Sequence, residues 1–457
     1  MEPSVSSARG TKGRRSHVAL GLVLTVASAL LVGCGSDSSK PVLTWYINPD
    51  PPPPANFEGG LGQAGIAERC STDDYTIVTE QLPGDATQQR IQLARRLAAD
   101  DPEIDLMSLD PVFTGEFASA EFLATIPPAD AEQLSGDALQ GAVIGATWDE
   151  NLVVAPLWAN TQVLWYRKSF AEKAGLDMSQ PVTWKQIIDA AADNDGKVGV
   201  QANKYEGYVV WINALVLGAG GDIVSDTDKG VDASIDIDSQ AGEQAAAVIE
   251  QLARSNAAEA DLSVSNEGTV LAPLYPQDDG SVVPASGGFL VNWTFAYANY
   301  KSQVVPDNQP GIHRSDFEDL GWARYPQTVQ GETSRPPLGG INIGVNVSSQ
   351  HTDLAVDALS CLTSLENQVT YAVETGNMPS AAPAYDNPKL QESFPADLLK
   401  LYRDSIDSAG PRPISPYWSD ISSAVQSTWH SPTSVNASTP QESARFINEV
   451  LQGKTLL

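Results

Sequence analysis

Histidine and cysteine are scarce in this chain of 457 residues, which contains four histidines and three cysteines. The histidines stand at positions 17, 313, 351 and 430, so the sequence has no His-x-x-x-His or Cys-x-x-Cys spacing that would indicate a metal site. A Gly-x-Ser-x-Gly nucleophile elbow and a Walker-type phosphate loop are absent as well. We therefore expect no metal, no cofactor and no enzymatic activity.

Basic residues are few compared with acidic ones. The chain has 27 lysines and arginines against 57 aspartates and glutamates, which gives a net charge of −30 at pH 7. Such a surface repels the phosphates of nucleic acids and anionic lipid headgroups, so neither is an expected partner. The acidic residues are spread along the chain, as is typical of a soluble exported protein.

Long apolar runs are limited to one, over residues 18–33 near the N-terminus. Basic residues at positions 9, 12, 14 and 15 precede this run, and Cys34 follows it directly. A basic start, an apolar core of about 15 residues and a small residue before a cysteine are typical of a bacterial lipoprotein signal. An N-terminal transmembrane helix is the alternative, although a span usually needs about 20 residues.

This pattern predicts a signal peptide over residues 1–33 and a mature chain that begins at Cys34, whose thiol carries the lipid. Residues 34–40 would form a short tether, and the protein would be anchored to the outer face of the plasma membrane. The pair Arg14 and Arg15 leaves open whether export uses the general or the twin-arginine route.

Two cysteines remain after lipidation, Cys70 and Cys361. An extracytoplasmic compartment permits disulfides, and two cysteines allow only one intramolecular pairing. We predict that they form a disulfide; two buried free thiols are the alternative.

Strand-like and helix-like segments alternate after residue 40, which predicts an α/β fold. Strands are predicted over residues 42–47, 75–81, 104–109, 152–157, 161–166, 289–293 and 339–347. Helices are predicted up to Cys70 and over residues 88–99, 208–217, 241–254, 353–365 and 368–374.

Three joint-like segments interrupt this alternation, near residues 159–161, 331–337 and 376–384. Three joints fit a backbone that crosses three times between two lobes, and the chain is long enough to form two cores. We predict an N-lobe of residues 41–160 and 335–378 and a C-lobe of residues 161–334 and 379–457.

Candidate binding residues follow several predicted strands. Asp110 and Asn160 come after strands, Trp293 ends another, and the glycines of segment 339–341 would let a ligand approach bare backbone. Carboxylates and amides hydrogen-bond to polyols, and aromatic rings stack on their C–H faces. Each residue has a plainer alternative, since a strand-end aspartate often caps a helix and a single tryptophan often belongs to the core.

These features resemble the extracellular solute-binding proteins of ABC importers that take up sugars, the class that contains maltose-binding protein. The matching segments are the lipoprotein signal, Asp110-Pro111, the strand at residues 160–167, Asn292-Trp293, and the return strand at residues 339–343. The resemblance covers nearly the whole mature chain. It implies a two-lobed periplasmic-binding-protein-like fold of type II and a monomer that delivers its ligand to an ABC permease.

A narrower group is also similar, the mycobacterial trehalose-binding lipoproteins (the LpqY group). The similar segments are residues 89–97, 200–203, 207–211, 266–268 and 412–413, and both internal cysteines fall where that group has cysteines. This resemblance implies that the ligand is a disaccharide, with trehalose as the expected one.

The two resemblances imply a set of ligand-binding residues. The candidates are Asp110, Asn160, Glu267, Trp293, Gly339, Gly340, Ile341, Arg412, Asn48, Gln89 and Tyr417. Trp293 would stack on a sugar ring, Asp110 and Glu267 would accept hydroxyl hydrogens, one from each lobe, and Asn160 would both donate and accept at the hinge. Arg412 would either donate to sugar oxygens or form an ion pair with a neighbouring acid.

Two segments depart from the trehalose-binding group, the proline-rich loop after residue 48 and residues 271–286. Both border the expected cleft, so they bear on which sugar binds. Two other functions stay open at this point. One is a glycoside hydrolase or transferase that uses paired carboxylates, for which Asp110, Glu150, Glu206 and Glu267 are candidates. The other is a surface lipoprotein that binds peptides or acts as an adhesin.

Overall fold

The computed structural model describes residues 40–50, 61–272, 274–275, 287–309 and 311–457. The expected signal peptide, Cys34 and most of the tether lie outside the described residues. So do most of the proline-rich loop and most of residues 271–286. Within the described ranges, no helix is both long enough and apolar enough to cross a membrane.

The described part of the chain forms twelve strands, which we number in chain order. They are β1 Val42–Ile47, β2 Thr76–Gln81, β3 Leu106–Leu109, β4 Thr147–Trp148, β5 Asn151–Leu152, β6 Ala155–Arg167, β7 Lys197–Gly199, β8 Val224–Ser225, β9 Ser234–Ile235, β10 Gly288–Trp293, β11 Leu320–Ala323 and β12 Leu338–Val345.

The same residues form seventeen α-helices. They are α1 Gly62–Cys70, α2 Ala86–Leu97, α3 Thr114–Ser119, α4 Pro128–Ser135, α5 Gln140–Ala146, α6 Lys168–Lys173, α7 Trp184–Asp193, α8 Glu206–Gly218, α9 Gln240–Arg254, α10 Phe295–Ser302, α11 Arg314–Glu318, α12 Thr352–Leu362, α13 Leu365–Thr375, α14 Pro388–Ser393, α15 Ala396–Asp407, α16 Trp418–Trp429 and α17 Thr439–Leu451.

Eight of the strands form one mixed sheet in the order β2-β1-β3-β12-β6-β10-β7, with β11 paired to β6. Strand β1 is parallel to β2 and β3, whereas β12 runs antiparallel to both β3 and β6. On the other side, β10 and β11 run antiparallel to β6, and β10 is parallel to β7. Parallel strands joined by helices are typical of the α/β architecture that the sequence predicts.

Strand β6 connects the two halves of this sheet. Its first half pairs with β12, where Gly339 lies opposite Asn160, and its second half pairs with β10 and β11. Because the chain continues through the sheet here, residues 159–161 are extended strand.

The prediction of two separate strands at residues 152–157 and 161–166 was therefore wrong. The polar pair Asn160 and Thr161 looked like a break, but both residues are buried, with exposed fractions of 6% and 0%. Their polar atoms are satisfied inside the protein: the Thr161 hydroxyl donates to the Pro337 carbonyl at 2.9 Å. A buried polar residue can occupy a strand when it has such partners.

The other predicted strands and helices are present, with ends that shift by up to three residues. Helix α2, for example, begins at Ala86 because Asp85 caps it, with Oδ1 accepting from the Gln88 N–H at 2.8 Å. Helix α8 begins at Glu206, two residues earlier than predicted. Its side chains are almost all buried, which explains why its sequence shows nearly continuous apolar character.

Buried apolar side chains surround the sheet on both faces. A cluster around β1 contains Trp45, Ile343 and Leu359, and a cluster around the second half of β6 contains Trp165 and Tyr402. Each fully buried large side chain of this kind contributes about 1.5–3 kcal/mol to folding. These cores hold the strand ends, and thus the candidate residues that follow them, in fixed positions.

A disulfide joins Cys70 at the end of α1 to Cys361 near the end of α12. The Asn367 side chain on α13 donates to the Cys361 carbonyl at 2.8 Å and accepts from Arg69 Nε, also at 2.8 Å. The bridge and these hydrogen bonds tie α1, α12 and α13 together.

Candidate ligand-binding cleft

A cleft of about 300 Å³ opens where several strands end. This volume is within the range of pockets that take small molecules. Ten of the eleven candidate residues line it: Asn48, Gln89, Asp110, Asn160, Glu267, Trp293, Gly339, Gly340, Ile341 and Arg412. Tyr417 is not among the lining residues; it packs at the edge of the largest hydrophobic cluster.

The parallel strands β1 and β3 explain one wall of the cleft. Asn48 follows β1 and Asp110 follows β3, so both lie at the same edge of the sheet, as expected for residues after parallel strands. Asn48 Nδ2 donates to Gln89 Oε1 at 2.9 Å, and Gln89 Nε2 donates to the Pro83 carbonyl at 2.7 Å. Asn48 Oδ1 is buried and has no hydrogen-bond partner among the described residues.

Arg412 joins two acids of the cleft. Its Nη2 donates to Asp110 Oδ1 at 2.7 Å and its Nη1 donates to Glu206 Oε1 at 2.8 Å. The Arg412 side chain is only 3% exposed, whereas that of Asp110 is 17% exposed. The ion-pair alternative for Arg412 is thus present in the structure, and the residue still lines the cleft.

Glu206 fixes the position of Arg412 and is itself held by further hydrogen bonds. Its Oε1 also accepts from Trp418 Nε1 at 3.0 Å, and its Oε2 accepts from the Ser422 hydroxyl. Burial raises the pKa of Glu206, and the nearby Arg412 opposes this rise. Because all these acceptor positions are used within the protein, Glu206 acts on a ligand mainly by fixing the position of Arg412.

Asp110 keeps one oxygen available. Its Oδ1 accepts from Arg412 and, at 3.1 Å, from the Val112 N–H. Through the second of these bonds Asp110 caps the short helical turn that follows β3. The helix-cap alternative from the sequence is therefore also present. Oδ2 accepts no hydrogen bond from the described residues, so it can accept from a ligand hydroxyl.

Asn160 is the centre of a buried hydrogen-bond group. Its Oδ1 accepts from the Thr294 hydroxyl at 2.7 Å and from the Thr161 N–H at 2.9 Å, and its Nδ2 donates to Asn377 Oδ1 at 3.1 Å. The Asn160 oxygen is thus occupied by the protein. Asn160 thus joins β6 to Thr294 after β10 and to Asn377 in the segment after α13. Residues 159–161 and 376–384 are two of the three places where the sequence predicts a crossing between lobes.

Trp293 ends β10 and fits against Gly339. A Cβ atom at Gly339 would lie only 2.7 Å from Cη2 and Cζ3 of the Trp293 ring. Gly340 has φ +136°, and a Cβ there would lie 2.2 Å from the Trp158 carbonyl oxygen. The two glycines are therefore needed for contacts within the protein, in addition to any approach of a ligand.

A second tryptophan, Trp158, lines the same cleft and stacks on Tyr371, with ring centroids 4.7 Å apart and planes inclined by 22°. Tyr371 is fully buried behind it. A tryptophan supported on one face in this way offers a rigid apolar surface to a ligand.

Glu267 and Tyr205 form the remaining acidic part of the cleft. Burial raises the pKa of Glu267, and the negative charges of Asp85 and Asp110 raise it further, while the Tyr205 hydroxyl lowers it. The Tyr205 hydroxyl is buried and makes no hydrogen bond of good geometry within the described chain. Tyr205 itself is only 6% exposed.

Ten further residues line the cleft that sequence reasoning did not assign to the site. Five of them have aromatic or polar side chains: Trp158, Tyr205, Glu206, Phe295 and Asn377. Three of them adjoin or lie near predicted positions, since Trp158 is two residues before Asn160, Phe295 two after Trp293, and Tyr205 just before a predicted helix. Glu206 was considered only as a possible catalytic acid. An acid just before a nearly continuous apolar helical run is the sequence signal that would have identified it, because such an acid is close to the core.

Residues 65–369, which are more than half of the chain, match the profile of the family described as bacterial extracellular solute-binding protein. Solved structures are similar over nearly the whole fold. Maltose-bound MalE3 of T. maritima has 22% sequence identity and a TM-score of 0.72, covering 91% of this chain and 100% of that one.

Two further structures have similar coverage. The GacH receptor of Streptomyces glaucescens, solved unliganded and with acarbose, has 18% identity and a TM-score of 0.69, covering 91% of this chain and 98% of that one. The cyclic alpha-maltosyl-1,6-maltose binding protein of Arthrobacter globiformis has 19% identity and a TM-score of 0.64, covering 91% and 100%. At such identities the likeness establishes the fold, and it confirms the two-lobed type II prediction.

The family match decides against the enzyme alternative, because the family is described as one of solute-binding proteins. The family name places them outside the cytoplasm. This chain belongs to the bacterial extracellular solute-binding proteins.

Proposed function

We propose that this protein is the substrate-binding lipoprotein of an ABC sugar importer and that it captures a trehalose-like disaccharide in the cleft. The observation that carries the proposal is the composition of the cleft walls. Two tryptophans, Trp158 and Trp293, lie in one cleft with the carboxylates of Asp110 and Glu267. Flat apolar faces beside strong hydrogen-bond acceptors are what a sugar ring requires.

The similar proteins support the same class of ligand. One is described as maltose-bound, another as complexed with acarbose, and a third as binding a cyclic maltosyl-maltose. The resemblance to the trehalose-binding group, carried by segments such as residues 207–211 and 266–268, favours trehalose among the disaccharides.

In this proposal Trp293 stacks on one sugar ring, and Asp110 Oδ2 and Glu267 accept hydroxyl hydrogens. Arg412 orients Asp110, and Asn160 holds the hinge. Asn48 Oδ1, which is buried without a partner, is a further acceptor on the rim. Tyr417 has no role in the cleft.

Closure follows from contacts on two sides. We assign residues 41–160 and 335–378 to the N-lobe and residues 161–334 and 379–457 to the C-lobe. Asp110 then belongs to one lobe, and Glu206, Glu267 and Arg412 belong to the other. A ligand that touches both sides stabilises the closed form by the contacts that the open form lacks, and the permease would recognise that form.

The anchor is part of the same proposal. A lipid on Cys34, after removal of residues 1–33, would hold the protein at the outer face of the membrane beside its permease. Mass spectrometry of the membrane fraction would detect the acylated cysteine, and a Cys34→Ala variant should be released into the soluble fraction.

Calorimetry on the purified protein with trehalose, maltose and sucrose tests the ligand assignment. Trp293→Ala should weaken binding by about 1–3 kcal/mol, because it removes an apolar stacking surface. Asp110→Ala should weaken binding as well. Trp322→Ala is a matched control, since Trp322 is partly exposed, hydrogen-bonds to Asp397 and does not line the cleft.

Wild-type affinity in both cleft variants would contradict the assignment of the site. Absence of binding to every sugar, together with binding to a peptide library, would replace the sugar proposal with peptide capture.

A further inference from the structure

Acidic side chains outnumber basic ones among the described residues that line the cleft. Among the lining residues that the structure describes, three are acidic, Asp110, Glu206 and Glu267, and one is basic, Arg412. A cleft with this balance has an excess of negative charge within a partly water-excluded space. Charges interact more strongly there than on an exposed surface.

The one basic group is already in use. The two terminal nitrogens of the Arg412 guanidinium donate to Asp110 and Glu206, at 2.7 Å and 2.8 Å. A ligand carboxylate or phosphate would have to compete with these two acids for the same cation. The Nε–H of Arg412 has no hydrogen-bond partner among the described residues, but two acids already balance the charge of the guanidinium. The described wall of the cleft therefore offers an anionic ligand no positive charge that is not already paired with acids.

Glu267, by contrast, has no cationic partner. It forms no ion pair with any described lysine or arginine, and the charges that influence it most are the acids Asp85 and Asp110. The nearby Tyr205 hydroxyl is buried at the cleft wall and lacks a hydrogen-bond partner of its own in the described chain. An acid that has no cation beside it, and whose nearest polar side chain is a tyrosine hydroxyl, keeps acceptor capacity for a donor-rich, positively charged group.

We propose that the cleft selects for ligands that carry a protonated amine, so that amino-substituted disaccharides bind more tightly than the neutral sugar and carboxylated ones more weakly. Glu267 is the specificity-determining residue, with Asp110 Oδ2 and the Tyr205 hydroxyl as additional acceptors. The inference rests on the proposed function, because it takes a sugar of disaccharide size as the ligand.

Four ligand types test this inference by calorimetry at neutral pH. They are trehalose, the trehaloses in which one hydroxyl is replaced by an amine, their N-acetylated forms, and a carboxylated trehalose. At least one of the amines should bind about tenfold more tightly than trehalose, since an ion pair adds to a hydrogen bond. The N-acetylated form, which has no charge, should lose that gain. A trehalose with a carboxylate in place of a hydroxymethyl group should bind at least about tenfold more weakly than trehalose.

The ratio of amine affinity to trehalose affinity is the decisive readout for the residue. Glu267→Gln should bring this ratio close to one, whatever it does to the absolute affinities. Glu103→Gln changes the net charge by the same amount at an exposed position outside the cleft, and it should leave the ratio at the wild-type value.

Two results would overturn the inference and leave the proposed function intact. One is trehalose binding without any gain for any amine, and the other is a gain that Glu267→Gln preserves. Failure of trehalose and of every other sugar to bind would instead contradict the proposed function, and the inference with it.

Discussion

At the scale of single residues, the polar side chains of the cleft fall into two groups. Some use their hydrogen-bonding capacity within the protein, and others keep capacity for a ligand. Glu206 and Asn160 are largely satisfied within the protein, and they position their neighbours. Asp110 Oδ2, Glu267 and the Tyr205 hydroxyl are the groups with unused capacity. Unsatisfied buried polar groups are costly, so they are expected where a ligand supplies the missing partner.

Glu267 gives a prediction about stability and pH. Because burial without a cation raises its pKa in the folded protein above the ordinary value of 4.5, the ionised side chain disfavours folding at neutral pH. Glu267→Gln should therefore raise the melting temperature of the ligand-free protein at pH 7. As the pH falls through the raised pKa towards 4.5, wild-type Glu267 becomes protonated, and the difference should shrink to nothing.

Differential scanning calorimetry of both proteins between pH 4 and pH 8 measures this difference. A melting temperature that is lower for the variant at pH 7, or a difference that does not change with pH, would show that the carboxylate is stabilised by contacts that the structure does not contain.

At the scale of elements, strand β12 and strand β6 together form the floor of the cleft. Their close pairing at Gly340 requires a residue without a side chain, because its φ is positive and the Trp158 carbonyl occupies the space of a Cβ. Because β12 pairs with β6, the positions of Trp158, Asn160 and Ile341 are fixed relative to one another. All three line the cleft.

Gly340→Ala should therefore destabilise the protein by more than the approximately 1–3 kcal/mol that an unfavourable backbone conformation costs by itself. Gly331→Ala is the matched control, since Gly331 also has a positive φ of +88°, but no atom of the described chain beyond its two neighbours lies within 4 Å of its Cβ position. Denaturant titration should show a larger loss in the free energy of unfolding for Gly340→Ala than for Gly331→Ala. Equal losses would mean that β12 can shift to make room for the Cβ atom at no cost in free energy.

The elements also show where local pattern was sufficient and where it was not. Helix α9 was predicted within one residue, because its apolar positions repeat every three or four residues and its polar face is clear. Strand β6 was divided in two, because two polar residues at its centre are satisfied by partners that are distant in sequence, such as Pro337 and Asn377. No pattern within the strand itself reveals those partners.

At the scale of the whole molecule, the disulfide links the beginning of the described chain to α12, across 291 residues of sequence. Neither Cys70 nor Cys361 lines the cleft. Replacing both by serine should lower the free energy of unfolding by about 2–5 kcal/mol, since the bridge restricts the unfolded chain.

Ligand affinity should stay at the wild-type value in that double variant, because the cleft contacts are unaffected. Urea unfolding and calorimetry on the same preparation give the two numbers. Affinity that falls together with stability would indicate that the bridge also holds the cleft wall in place.

The sequence by itself determined the fold class, most strands and helices, and ten positions that the structure places in the cleft. Strand periodicity is local, and residues that follow strands meet at one sheet edge, which accounts for Asp110, Asn160, Trp293 and the segment 339–341. The other four positions, Asn48, Gln89, Glu267 and Arg412, came from the resemblance to known sugar-binding proteins. Only the tertiary structure decided that Arg412 is bound by Glu206 and Asp110, that Tyr417 is not among the described residues lining the cleft, and that no described cation pairs with Glu267. Those pairings join residues up to about 300 positions apart, as from Asp110 to Arg412, and only the folded chain brings such residues into contact.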